Sequence, residues 1–496
     1  MNIFKRIKKP FVKKSKIKLS SFQNGLNLKL DENLTPLTYA VKFYNFSNKS
    51  GSLTKGLGLA DFCQVLNQPD FSDLDEINVT KVFYSKKFNN SLNVNQDQLG
   101  IISSDKNFYS IPLNSNQTFE LTNHIGVALN NSDITAINYN LDGEDSTLIS
   151  SSNDSLVVWP TENEIYRVID CPRITSMCVH YERVFATVGD DENTIWFSDD
   201  LDPTNWSLSL TEAGFIKMQD DRGGCRKVIS FNGYVYVFRD YGIARISAFG
   251  DQNQFSVSQL FVSSGKIYAD SVVLCGNEVV FLATDGLYKF DGISCVKILD
   301  SLTPAFTSVG NQNCCATYFE NKYYLACKFN YSDNTQAENL AYNNALIEVD
   351  LSKKTAIFMR GVDVKSLTAI NCDNFRGVVV CAKKFSESCY KIMALNHSGE
   401  AFGEALVKVW ESPLTDLGYP ESEKTLCELI ISSKTDITFI IENEKEEGKS
   451  FQILGSEKPK KINLIFKFNK LKFKIISNEK DCCVMTPFCL IKLSEV

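Results

Sequence analysis

One strand–turn–strand unit returns along this chain, and it restricts the fold more than any other feature. TSMCVHYERVFATV at 175–188 is followed by RKVISFNGYVYVF at 226–238, DSVVLCGNEVVFLA at 270–283, CCATYFENKYYLAC at 314–327 and SLTAINCDNFRGVVVCA at 366–382. The turns fall near residues 181, 232, 276, 320 and 373, a period of about 44–53 residues. A third strand follows each pair: TIWFSD from 194, YGIARIS from 241, DGLYKFD from 285, ALIEVDL from 345 and CYKIMAL from 389. A fourth follows several, as FSVSQLF at 255–261, CVKIL at 295–299 and TAIFMRG at 355–361. Weaker copies lie at 98–112 and 134–158. Short runs of Val, Ile, Phe, Tyr and Thr between Asn-Gly, Asp-Gly and Glu-Asn turns read as antiparallel strands. One four-stranded sheet cannot bury both faces alone. Radial stacking in a closed ring does so and leaves only short outer edges. The pattern therefore predicts an all-β chain with a β-propeller at 75–411 of about seven blades, six to eight fitting the spacing. Stacked β-sandwiches share the texture, but the regular period favours the propeller.

The rest of the chain is drawn differently. From Trp410 onward, TDITFIIENEKEEG, KSFQILG, KKINLIFKFNKLKFKIIS and CCVMTPFCLIKLSEV supply about six strands, enough for a C-terminal β-sandwich at 412–496. In IFKFNKLKFKI the apolar parity flips across Asn469-Lys470. This predicts a hairpin turn or bulge, with Phe466 and Phe468 on one arm and Leu471, Phe473 and Ile475 on the other. Lys467, Lys470, Lys472 and Lys474 then lie away from the core, as a solvated face or a strip for DNA or a subunit. Residues 1–20 read as a basic arm and 21–74 as an extended segment.

Charge is uneven. The first 18 residues carry eight basic residues and no acid, including Lys5, Arg6, Lys8, Lys9, Lys13 and Lys14; the whole chain carries −7. Residues 413–496 balance, so 19–412 carry −15. A protein that coats DNA shows the opposite balance over its folded mass. The arm suits nucleic acid, a membrane surface or an acidic partner, or a solvated tail. No apolar run approaches ~18 residues, so no membrane insertion is expected. The 16 Cys form no C-x-x-C and sit mostly in apolar strand-like runs, as reduced thiols acting as small hydrophobes in a reducing cytoplasm do.

Chemistry is sparse in the sequence. There is no phosphate loop, no H-E-x-x-H and no G-x-S-x-G, and only three His. No catalytic, cofactor or metal residue is assigned, and no cofactor is expected. The pairs Asp190-Asp191, Asp199-Asp200 and Asp220-Asp221 read as turn acids. SDDLDPTNW at 198–206 resembles the Asp-box of sialidase-type propellers without its glycine. Asx turns at Asp199 and Asp202, with Trp206 plugged between blades, account for it structurally.

Three segments together resemble tailed-phage virion proteins of the packaged-DNA stabilisation and tail hub or nozzle type. The first holds Gly25-Leu26-Asn27, Asn45-Phe46, Gly51, Leu53, Lys55 and Gly58. The second is FSDDLDPTNW with FNGYVYVFRDYGIARISAFG at 231–250. The third is WESPLTDLGYPESEKTL at 410–426. Asn24 and Asn469 stand where the pattern has glycine. The resemblance implies a non-enzymatic virion component made in the host cytoplasm. It implies a ring, usually of six copies, beside portal, adaptor and tail proteins, through which double-stranded DNA passes transiently. On that reading the basic arm and the lysines at 467, 470, 472 and 474 are the candidate subunit or DNA contacts. The alternative is a receptor- or glycan-binding tail protein, with Trp206, Tyr331 and Tyr342 as stacking platforms. A cytoplasmic propeller scaffold is a third reading, weakened by the lack of Gly-His and Trp-Asp repeats.

Overall fold

The computed structural model describes residues 14–48, 51–68, 73–115, 117–130, 133–209 and 211–493. The chain divides into two compact units, one of residues 60–354 and 361–395, the other of residues 1–59, 355–360 and 396–496.

The first unit is a seven-bladed β-propeller. Blade 1 is Val79–Ser85, Gln98–Ser103, Phe108–Pro112 and Thr122–Asn123. Blade 2 is Thr135–Leu141, Glu144–Ser151, Asp154–Pro160 and Tyr166–Arg167. Blade 3 is Ile174–His180, Arg183–Val188, Thr194–Phe197 and Gly214–Lys217. Blade 4 is Cys225–Phe231, Tyr234–Arg239, Gly242–Ser247 and Ser256–Val262. Blade 5 is Val273–Cys275, Glu278–Ala283, Gly286–Phe290 and Cys295–Ile298. Within this unit blade 6 has Cys315–Phe319, Lys322–Cys327 and Ala345–Asp350, and blade 7 has Asp363–Asn371, Arg376–Lys383 and Lys391–Asn396. Each blade is an antiparallel meander. Its inner hairpin needs residues that accept positive φ, and Asn232-Gly233 (φ 49° and 77°) meets that need in blade 4.

Apolar residues fill the spaces between blades. Phe83, Phe108, Ile149, Val157 and Trp159 join blades 1 and 2; Phe185, Phe197, Val228, Val235 and Val237 join blades 3 and 4. The ring closes where Val82 and Ile101 of blade 1 pack with Val379 and Ile392 of blade 7. There Val82 N–H donates to Ser366 Oγ at 3.3 Å and Cys381 Sγ lies 3.2 Å from the Val79 carbonyl. The expected architecture is borne out, including the weak copies at 98–112 and 134–158, which are blades 1 and 2.

The second unit is a β-sandwich. One sheet orders Lys14–Lys18, Phe488–Leu493, Lys424–Ile431 and Lys460–Phe468. The other orders Lys42–Tyr44, Lys408–Glu411, Leu471–Ser477, Ile437–Asn443 and Gly448–Ile453. Each sheet buries one face, with Leu426, Leu429, Phe466, Phe468 and Ile491 in the first and Phe43, Trp410, Phe439, Leu471, Phe473 and Ile475 in the second. Trp410 is the hub: its ring meets Phe22 edge-on at 4.9 Å and Phe473 at 5.4 Å. The sandwich thus takes strands from both ends of the described chain. Lys14–Lys18 is an edge strand, not part of a free arm.

The parity flip at Asn469-Lys470 has a different cause from a hairpin or bulge. Lys460–Phe468 pairs with Lys424–Ile431, whereas Leu471–Ser477 pairs with Lys408–Glu411 and Ile437–Asn443. The chain crosses from one sheet to the other, and each arm turns its apolar residues inward. Glu444 holds the corner, its carboxylate accepting from Asn469 N–H and Nδ2 and from Lys470 N–H. Neither Asn24 nor Asn469 is among the residues with positive φ, so no glycine-like backbone explains them.

Candidate functional site

The sequence-predicted contacts are not brought together. Lys5, Arg6, Lys8, Lys9 and Lys13 lie outside the described residues; Lys14 is exposed at the start of the sandwich edge strand. Lys467 projects from the outer face of the first sheet, 3.9 Å from Glu423. Lys470 donates to Asn33 Oδ1 at 2.6 Å. Lys472 and Lys474 project from the other sheet, where Glu411, buried, takes both at 3.4 and 3.5 Å. The row Lys42, Glu411, Lys474 runs straight across three paired strands. Burial opposes the charge on Lys472, but Glu411, Glu32 and Glu442 outweigh it and hold the ammonium above its usual range. Lys472 and Lys474 tie neighbouring strands together, and the sheet crossing separates them from Lys467 on the other sheet's outer face.

The acid pairs are turn-builders. Asp199 accepts from Asp200 N–H and Glu212 N–H, and Asp202 accepts from Thr204 N–H and Oγ1. Trp206, buried among Leu148, Leu156 and Val184, donates Nε1–H to the Pro203 carbonyl at 2.9 Å. Asp220 pairs with Arg239, which is fully buried and donates to the Gly223 carbonyl as well. Trp206 and Tyr331 are both buried, so neither is an exposed stacking platform; Tyr342 is half-buried under the Lys365 ammonium.

A cleft of about 490 Å³ lies beside blade 3, lined by residues the sequence singled out, such as Asp190 and Asp191, and by others it did not. Its walls include exposed Ile169, Phe215 and Lys217 and half-buried Trp196, with Asp190 and Asp191 at the rim. Trp196 and Phe215 rings lie 5.4 Å apart, and Thr194 Oγ1 donates to Asp191 at 2.6 Å. The alternation of TIWFSD carries a hint of it, since Trp196 falls between the buried Ile195 and Phe197. All sixteen cysteines are free, and burial pushes thiols such as Cys225 and Cys275 up to about 12, away from nucleophilic use. Among the described residues no three His, Cys, Asp or Glu side chains are placed to hold a metal ion.

No family model matches the chain, and no curated protein matches it. Among solved structures, the crystal structure of BBS1N in complex with ARL6DN, soaked with mercury, aligns with 65% of this chain and 99% of its own, at 9% identity and a TM-score of 0.39. The propeller assignment stands on the seven sheets themselves.

Proposed function

We propose that this chain is a non-catalytic virion structural protein of the tail hub or nozzle type. It assembles with copies of itself into a ring that abuts portal, adaptor and tail proteins and conducts packaged double-stranded DNA. The observation that carries this reading is the work done by the N-terminal residues of the phage-like resemblance, which is architectural. Asn45, at φ 60°, donates Nδ2–H to the carbonyls of Arg360 (3.0 Å) and Val407 (2.7 Å) and accepts from Arg360 N–H (2.8 Å). One amide thereby joins the three chain segments of the sandwich unit. Gly58 passes so close to Ser398 and the Glu400 carbonyl that a Cβ would lie 2.7 Å from that oxygen. Leu53 is fully buried, and Lys55 pairs with Asp481 at 2.6 Å. Residues that serve assembly of the fold fit a rigid passive part.

Charge supports the same reading. A body carrying −15 over 19–412 repels phosphates, so DNA passes it without the counterion release that holds a bound duplex. Negative-stain images of the purified protein test the proposal: closed rings with a central hole are expected, and a population of single particles at all concentrations would reject it. The cleft beside blade 3 favours one second reading, a glycan-binding tail protein, because aromatic walls and rim carboxylates suit a sugar's C–H face and its hydroxyls. A glycan array separates the two. Binding abolished by Trp196→Ala would favour the second.

A further inference from the structure

Blade 3 breaks the turn chemistry of its neighbours. The inner hairpins of blades 2, 4, 5 and 6 turn on Asp142-Gly143, Asn232-Gly233, Gly276-Asn277 and Glu320-Asn321. Each pair contains Gly or Asn, the residues that accept positive φ most readily. Blade 3 turns on Tyr181-Glu182, which has neither, and Tyr181 sits at φ 52° with 58% of its surface exposed. A bulky residue held in that region costs the fold energy, and it projects an aromatic ring into solvent.

The ring does not stand alone. Phe249, from the outer loop of blade 4 and 74% exposed, meets Tyr181 edge-on at 5.7 Å. Leu201, 63% exposed, donates its N–H to the Glu182 carbonyl at 3.0 Å. Scattered exposed apolar side chains are ordinary; two in ring contact, with a third whose backbone is tied to the same hairpin tip, mark a surface that meets something. Carboxylates surround them. Asp142, Glu182 and Asp200 are exposed and Asp202 is half-buried. Burial and then these four acids push up the phenol of Tyr139, whose OH donates to the Glu182 carbonyl. At the opposite end of these strands acids are matched: Arg226 takes Glu192 at 2.6 Å and Asp240 at 2.9 Å, and Lys266 takes Asp240 at 3.3 Å. Among the described residues no cation is paired with Asp142, Glu182 or Asp200.

We propose that this patch, centred on Tyr181, Leu201 and Phe249 and rimmed by Glu182 and Asp200, docks the basic segment 1–13 of a second copy of this chain. The proposal rests on the self-assembly reading above. The segment, MNIFKRIKKPFVK, interleaves Lys5, Arg6, Lys8, Lys9 and Lys13 with Ile3, Phe4, Ile7, Phe11 and Val12 and has no acid. It matches the patch in sign and in apolar content. Apolar anchors at the centre hold such a contact, while the charged rim steers it and rejects acidic competitors. Thirteen residues reach at most about 45 Å when extended, enough to cross to a neighbour from the sandwich edge strand that they precede.

A fluorescein-labelled peptide of residues 1–13, titrated into the full-length protein at low salt and followed by anisotropy, tests this. Mass photometry of the same samples reads assembly. Saturable binding is expected, weakened at least tenfold by Glu182→Lys/Asp200→Lys and by Phe249→Ser. A peptide carrying Lys8→Glu/Lys9→Glu should regain binding on the Glu182→Lys/Asp200→Lys protein. Glu182, Asp200 and Phe249 are all exposed, and unchanged thermal melting confirms that each variant folds. Absence of saturable binding, equal binding by the variants, or equal binding of a scrambled peptide of the same composition overturns the docking assignment. If rings still form in that case, the assignment alone falls. If the peptide binds the patch and no ring forms, the proposed function falls instead.

Discussion

The propeller and the sandwich unit share one strand vocabulary and assemble it by opposite routes. Inside a blade, hydrogen-bonded partners are neighbours in sequence, as Cys225–Phe231 is with Tyr234–Arg239. In the sandwich the first described strand, Lys14–Lys18, pairs with the last, Phe488–Leu493, and Asn45 reaches residues more than 300 positions away. A local meander repeats its own signature. Long-range pairing leaves none, because each strand's partner is set by topology and not by the turn beside it. Buried cations, by contrast, meet backbone carbonyls in both units: in the propeller Lys87 donates to Pro160 at 2.9 Å and Arg239 to Gly223 at 3.0 Å. The sandwich unit buries Lys408 and Lys424 and aims each ammonium at backbone carbonyls: Gly399, Leu406 and Glu479 for Lys408, Tyr419 and Ser422 for Lys424.

The sharpest way to break that comparison is to remove residues 1–48. The sandwich unit loses the strands Lys14–Lys18, Lys42–Tyr44 and Phe46–Ser47, with Phe22, Phe43 and the Asn45 clamp, so its unfolding transition should vanish while the propeller's persists. Differential scanning calorimetry reads this, and survival of both transitions would contradict the non-local construction. Next in size, Trp410→Ala should cost the sandwich about 3–5 kcal/mol, the usual cost of truncating a buried aromatic, read as a drop in the denaturant midpoint of that unit.

In the propeller, Asp220→Ala leaves Arg239 buried without its carboxylate and should cost about 3 kcal/mol, measured by urea unfolding. A pH series gives a smaller effect. His124, stacked at 4.5 Å on Phe108 and hydrogen-bonded to Ser110 at 2.9 Å, is lowered to about 4 by burial and then by Lys87. Its folded form therefore resists protonation. The stability it contributes is complete above its ordinary pKa of 6.5 and is lost as pH falls toward about 4. The expected loss, discounted for solvent screening, is about 1–2 kcal/mol, and His124→Phe should flatten it in melts recorded between pH 7 and 4. Smallest of all, Lys474→Ala should cost under about 1 kcal/mol, because Lys472 still holds Glu411.

How legible the molecule was follows from the same contrast. The turns at 232, 276, 320 and 373 were readable because Asn, Asp and Gly mark hairpins, and the turn at 181 because β-branched runs flank it on both sides. Trp206 was readable as a plug because its Asx turns are local. The roles of Lys472 and Lys474 were not. Glu411 lies 61 positions before Lys472, and only the sheet brings them together. The crossing at Asn469-Lys470 was half legible: parity located the corner, but nothing in eleven residues says whether the next strand pairs with its predecessor or with another sheet. The patch at Tyr181 had a visible signal, a hairpin tip lacking Asn and Gly, whose meaning needed Phe249 and Leu201 beside it.

The most direct test of the proposed role is electron microscopy of the purified full-length protein with mass photometry on the same sample. We expect one closed oligomeric species, a ring around a central hole, formed without added ligand. A monomer that persists at micromolar concentration, or one that turns over or captures a small molecule in place of assembling, would contradict it.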